Sequence, residues 1–288
     1  MLRAAFGGPF KLPDDRFARA MSTPEKLLGI EQTRLAKAIQ IGSIWIDPKN
    51  VEETLHRYVK HIFALNESEQ IPYSFPGSGS AIRIANRHFL FCCGHQIELW
   101  KPDQVAFCIY NSNTIISSSS MFHPIVNASN ADTDLTDARA FEYQIKKYGC
   151  DNLESDFFPA NPQRIWPDFS IKAPFMVYGY PSGLQDVDYS FPKIASHAVE
   201  IKATYDGGTS SPHLHRIKMV RKTQFDSDGM SGGPVFYIGN EKGSLFVGWA
   251  GMVMRGSGSS EYLHFLAANF LIEMAFHHPV DEIIRLEK

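Results

Sequence analysis

The chain has 288 residues, 44% of them hydrophobic and 12% aromatic, with a formal charge of −3. That length admits one sizeable domain with an appendage, and the apolar content suffices to fill a core, which excludes wholesale disorder. The scattered Lys and Arg residues give no electrostatic footprint for nucleic acid, and no apolar run approaches the roughly 20 residues of a membrane span.

The four cysteines, Cys92, Cys93, Cys108 and Cys150, lack Cys-x-x-Cys spacing. An adjacent pair does not make a framework of separate bridges, so a reducing, cytoplasmic setting is expected. The apolar run at the amino terminus is too short for a secretory signal. No zinc-ligand cluster is visible, and His213 and His215 share a strand face without a third ligand. Neither a metal nor a cofactor is expected.

Residues 1–22 mix Gly, Pro and charge and read as a loose arm. Thr23-Pro24-Glu25 is a helix-start signature, and Leu27, Leu28, Ile30, Leu35, Ala38 and Ile39 follow the helical period. Asp47-Pro48 starts a second predicted helix, with Val51, Leu55, Tyr58, Val59, Ile62 and Phe63 on one face. The spacing thus predicts a helical hairpin inside an amino-terminal unit, residues 1–70. Its amphipathic stripe packs on the body or meets a protein partner.

From Phe75-Pro76-Gly77-Ser78-Gly79-Ser80-Ala81-Ile82 onward, short β-type runs alternate with Asn, Gly, Ser and Pro, the pattern of a barrel or sandwich. Residues 81–85 and 89–93 form a predicted hairpin, and the second strand runs into Cys92-Cys93-Gly94-His95. Further strands are predicted at 104–110, 114–118 and 121–126. Three acids follow, Asp132, Asp134 and Asp137, and Asp137 heads the alternating stretch 138–143. Residues 150–168, rich in Pro and aromatics, read as a crossing. A strand then ends in Gly179-Tyr180-Pro181, and two more are predicted at 196–205 and 213–220.

The stretch Asp226-Ser227-Asp228-Gly229-Met230-Ser231-Gly232-Gly233-Pro234 has a composition with a chemical reason. A serine hydroxyl attacks only when a tight turn exposes it to a base, and the same turn must aim N–H groups at the oxygen that becomes negative. Gly229, Gly232 and Gly233 supply the backbone freedom for that turn. A strand at 245–254 follows, then a predicted terminal helix over about 263–286, with Phe265, Ala268, Leu271, Ile272 and Ala275 roughly periodic.

Gly-Met-Ser-Gly-Gly-Pro resembles the nucleophile segment of chymotrypsin-like (trypsin-fold) serine proteases, of the bacterial or intracellular trypsin-like peptidase type. The Gly-x-Gly opening at Gly77 and Gly79, the strand ending Cys-Cys-Gly-His, and Gly-Tyr-Pro are similar to further motifs of that family. The resemblance implies a mainly β protein of two six-stranded antiparallel barrels, at about 75–150 and 172–262. Both lie in a protease domain spanning 71–288, with a carboxy-terminal helix. It implies a serine endopeptidase acting on protein or peptide, with Ser231 as nucleophile and His95 as general base. Asp137 is the orienting acid, with Asp134 and Asp132 as alternatives. The order His, Asp, Ser is that of chymotrypsin. Gly229 and Ser231 would supply the oxyanion hole. Phe225, six residues before the serine, would border the primary pocket with Val247, Gly248 and Trp249, giving an apolar preference; a one-residue shift would put Asp226 there and favour Lys or Arg.

This sequence departs from the family at three places. Gln96 follows the histidine, and Ser227 and Asp228 precede the serine turn, where secreted members carry cysteines. Met230 stands where digestive proteases have an aspartate that pairs with a newly cut amino terminus, so activation by propeptide removal is not expected. Two other readings stay open: an inert trypsin-fold interaction module, and an esterase acting on small acyl substrates.

Overall fold

Apolar residues alternate with apolar residues along many strands of this chain, so both faces of its sheets are buried and two sheets pack against each other. The computed structural model describes residues 37–112, 114–118, 120–124, 133–149, 152–165, 173–188, 193–211, 213–256 and 260–277. The described chain opens with strands β1 (Ile39–Ile41) and β2 (Ile44–Ile46) and the short helix α1 (Val51–His56). The first large sheet then uses β3 (Val59–Leu65), β4 (Tyr73–Ile84), β5 (Arg87–Cys93), β6 (Val105–Cys108), β7 (Ile115–Ser117), β8 (Met121–Phe122) and β9 (Ala138–Tyr143). Helix α2 (Gly94–Ile97) follows β5, α3 (Thr133–Thr136) precedes β9, and β10 (Phe158–Ala160) lies parallel to β4.

The second half holds β11 (Pro174–Gly179), the small hairpin β12 (Asp186–Asp188) and β13 (Lys193–Ala195), then β14 (Val199–Gly208) and β15 (Leu214–Met219). It ends with β16 (Pro234–Glu241), β17 (Ser244–Gly256), β18 (Tyr262–Ala267) and helix α4 (Ala268–His277). The strands run β16-β11-β14-β15-β18-β17, and β16 also pairs with β17, so six strands close into a barrel. In the first sheet the order is β7-β6-β3-β4-β5-β9-β8; its outer strands β7 and β8 do not pair among the described residues, and it curls without closing. The protein is therefore mainly β, with one closed barrel and one curled sheet rather than the two closed six-stranded barrels expected. Among the described residues, no helix is long and apolar enough to cross a membrane.

Period-2 alternation divides the core in three. Leu90, Cys92, Phe107 and Phe141 fill the curl of the first sheet. Phe175, Val177, Ala250, Val253 and Phe265 fill the closed barrel. Their neighbours Phe89, Phe91, Cys93, Tyr178, Trp249 and Met254 turn the other way and meet between the sheets. Trp249 and Phe91 pack there with tilted rings, 5.3 Å between centroids.

Several expectations from the sequence are corrected. The predicted second helix ends at His56, and Val59–Leu65 is a strand buried along almost its whole length. A run buried on both faces has no period of its own, so Val59, Ile62 and Phe63 fit a helical stripe as readily as a central strand. The first sheet accordingly begins near residue 59, inside the unit 1–70 that the sequence reading set apart. Of the first predicted helix, Ile39 lies in β1 and most of the rest falls outside the described residues. At the other end, Leu263 and Phe265 belong to β18, and the helix starts at Ala268; residues 278–286 fall outside the described residues. Finally, Val247 and Trp249 lie in the inter-sheet core, 4% and 1% exposed, so they are packing residues.

Because Trp249 fills the contact between the sheets, Trp249→Ala should cost about 3–5 kcal/mol of stability. Urea unfolding checks this; a loss below about 1 kcal/mol would remove Trp249 from the core.

Candidate active site

The serine segment is built from two consecutive turns that share Met230. Met230 N donates to Ser227 O at 3.0 Å, and Gly233 N donates to Met230 O at 3.0 Å. Gly229 and Gly232 are the third residues of these turns, with φ of 84° and 83°. Positive φ at that position is what a type II turn requires. The space is as restrictive as the angle, since a Cβ on Gly232 would lie 2.0 Å from Ser78 O. Met230 is fully buried in the closed barrel, so packing holds its side chain where an ion pair would be needed for an aspartate.

Side chains of the first sheet and its helix hold the carbonyls of these turns. Ser78 Oγ donates to Gly229 O at 2.6 Å and Ser80 Oγ to Gly232 O at 2.7 Å. Gln96 Nε2 donates to Ser231 O at 2.7 Å. Ser78 and Ser80 share a face of β4 because they are two residues apart. Gly77 and Gly79 between and before them leave room: a Cβ at Gly77 would strike the Gln96 amide, and one at Gly79 would strike Leu90.

His95 sits on α2, directly after β5, and Asp137 heads β9. The pairing of β5 with β9 puts Cys93 opposite Ala138, which brings the two together. His95 N donates to Asp137 Oδ1 at 2.8 Å, and the ring atom Nδ1 lies 2.6 Å from Asp137 Oδ2. Asp137 thus grips both backbone and ring. A proton on Nδ1 satisfies that contact and leaves Nε2 as the free basic nitrogen. Gly94 permits the approach, since a Cβ there would lie 2.9 Å from Asp137 Oδ1. The hydrogen bond to Asp137 raises the His95 pKa above its ordinary value; burial opposes this, and Asp228 and Asp134 add to it from farther off. Of the other acids, Asp134 forms an ion pair with Arg255 at 3.0 Å, and Asp132 lies outside the described residues.

Ser231, Gly229, Asp228 and His95 line one open cavity of about 420 Å³, with Gln96, Glu98 and Trp100 on its wall. A second cavity of about 560 Å³ lies on the Asp137 side of the same histidine. Ser231 Oγ donates to Met254 O at 3.0 Å and makes no hydrogen bond to His95. The N–H groups of Gly229 and Ser231 donate to no protein group among the described residues. Val247, Gly248 and Trp249 do not line the serine cavity. The part of β17 that approaches it is the carboxy-terminal end, where a Cβ on Gly256 would lie 2.8 Å from Ser227 Oγ. Phe225 packs against the closed-barrel core, and Asp226 is exposed, accepting from Asp228 N at 3.2 Å.

Cys93, His95 and Asp137 each present a ligand atom within 4.8 Å of the others. Burial holds the Cys93 thiol protonated, its pKa well above the ordinary value, and His95 is already bonded to Asp137. The trio is a poor donor set for zinc, which takes thiolates. Cys92, Cys93 and Cys108 are free. Gln96, Ser78, Ser80 and the Met254 carbonyl escaped the sequence reading. Alternation in Gly-Ser-Gly-Ser carried a signal for the two serines; a backbone carbonyl carries none.

No family model matches the chain, and no curated protein matches it. Among solved structures, the inactivated protease paralogue S-I1 of the scabies mite is similar at 13% identity and a TM-score of 0.47. The match covers 75% of this chain and 91% of that one. A likeness at this level says nothing of activity in either direction.

The Asp137 contact makes a measurable claim about His95. Its folded-state pKa should exceed the ordinary value of about 6.5. Asp137→Asn should lower it, and Asp134→Asn should lower it less, as NMR titration of the ring checks. A group with a raised folded-state pKa contributes stability that is full below its unfolded-state pKa and is lost as pH rises through the folded-state value. The wild type should therefore lose this increment on going from slightly acid to alkaline pH, and Asp137→Asn should not.

Proposed function

We propose that this protein is a serine endopeptidase that cleaves peptide bonds through an acyl-enzyme. The observation that carries the reading is that Ser231, Gly229 and His95 face one cavity while Asp137 binds the far side of the histidine ring. In this reading His95 Nε2 takes the Ser231 proton as Oγ attacks the carbonyl, then gives it to the leaving amine. Asp137 fixes the tautomer and stabilises the imidazolium. The N–H groups of Gly229 and Ser231 receive the oxyanion; each such donor is worth about 3 kcal/mol of barrier. The substrate is a protein or peptide, and the free thiols of Cys92, Cys93 and Cys108 support a reducing compartment.

The hydrogen bond from Ser231 to Met254 O must break before attack. Breaking it requires the Ser231 side chain to rotate about its Cα–Cβ bond. That same bond favours the second reading, an inert module that binds a protein partner, since it parks the hydroxyl away from the base.

A fluorophosphonate probe separates the two. Labelling should occur at Ser231 and vanish, with peptide cleavage, in Ser231→Ala; an unlabelled wild type would establish the inert module. Asp137→Asn should slow turnover by about 10⁴, the loss expected when the histidine tautomer is wrong.

Substrate preference gives a further test. Phe225, six residues before Ser231, packs inward against the barrel core, and Asp226 is exposed rather than at a pocket floor, so small or medium apolar residues should precede the cut. A peptide-library profile dominated by Lys or Arg, and lost in Asp226→Asn, overturns this preference.

A further inference from the structure

We propose that Gln96 is a positioning residue of this site, whose carboxamide locks the helix carrying His95 to the turn carrying Ser231. The inference rests on the reading of Ser231 and His95 given above. Gln96 is 6% exposed and is the residue next to the histidine. Its Oε1 accepts from Cys93 N at 2.9 Å, and its Nε2 donates to Ser231 O at 2.7 Å. One partner is purely a donor and the other purely an acceptor, so the amide has a single orientation. Cys93 precedes α2 and Ser231 is the nucleophile itself. A single planar group therefore fixes the distance between the two halves of the site, which belong to different sheets.

The surroundings are shaped for that group. A Cβ on Gly77 would stand 2.3 Å from Gln96 Nε2, and one on Gly232 would stand 2.9 Å from Oε1. The two glycines, one on β4 and one in the serine turn, thus leave space that the carboxamide fills. Among the described residues no disulfide joins these segments, since Cys92, Cys93 and Cys108 are free. The hydrogen-bonded amide is the link.

Gln96→Glu keeps the shape and changes one property. Deprotonated, the new carboxylate sets an oxygen lone pair against Ser231 O; protonated, it donates as the amide does. Burial beside a carbonyl raises its pKa above the ordinary value of about 4.3. The other charged or titratable groups around it are His95 and Glu98 on the same helix segment, Cys93 on β5, Asp137 just before β9 and Arg139 on it, and Asp228 on the serine turn. Residues 76–80 of β4 contribute none.

The test is the rate of fluorophosphonate labelling at Ser231 against pH, as the ratio of variant to wild type. For Gln96→Glu the ratio should fall roughly ten- to a hundredfold as pH rises through the new carboxyl's pKa, and stay low at alkaline pH. A mere charge effect on His95 would instead let the ratio recover once that imidazole is neutral, and this recovery overturns the proposal. Gln96→Met, of similar length with no donor or acceptor, should show a comparable deficit at every pH. Labelling of Gln96→Met at the wild-type rate overturns the proposal even where Gln96→Glu does not fold. A wild type that does not label at all overturns the reading of Ser231, a result distinct from either variant outcome.

Discussion

Three carbonyl oxygens of the serine turn, those of Gly229, Ser231 and Gly232, are bonded by side chains from the first sheet and the helix that follows β5. A turn with two positive-φ glycines has little stiffness of its own, because glycine enters many backbone states. Its shape must come from outside, and Ser78, Ser80 and Gln96 supply it. The same three bonds join the curled sheet to the closed barrel at the point where the chemistry would occur. Catalysis of acyl transfer depends on donors that are already in place before charge develops. Here the frame that places them is a set of neutral hydrogen bonds, two of them from fully buried hydroxyls.

Charge is distributed to match. Asp137 serves the histidine from behind, bound to both its N–H and its ring. Asp134 is occupied by Arg255, which follows Met254, the residue whose carbonyl receives the Ser231 hydroxyl. Two acids three residues apart thus have separate partners, one on the histidine side of the cleft and one on the serine side. Asp228 lies on the cavity wall and acts on the imidazole only through space.

Much of this was legible in the sequence because turn chemistry is local. Gly229, Gly232 and the serine between them announce their geometry in a few residues, and Asp137 stands out because it heads a run of alternating residues. What failed to show was long-range. Val59–Leu65 reads as a helix face until one knows that a sheet covers both its sides. Val247 and Trp249 look like pocket residues from their distance to the serine. The bulge at Gly251, with φ of 154°, resets which face each residue of β17 presents. Gln96 was visible only as a departure, a glutamine where a cysteine is usual, and its meaning depends on a carbonyl 135 residues away.

Strand β1 precedes every strand of the first sheet yet pairs in parallel with β17, Ile39 opposite Leu245. Contacts of such sequence separation carry a heavy loop-closure cost and form late in folding. Among the described residues β1 is the first strand, and its partner β17 is the last but one. Until the closed barrel exists, Ile39 and Ile41, both buried in the finished protein, have no apolar surface of that barrel to meet. Docking of the parallel strap therefore requires β17 to be in place, which ties the start of the described chain to the completed barrel.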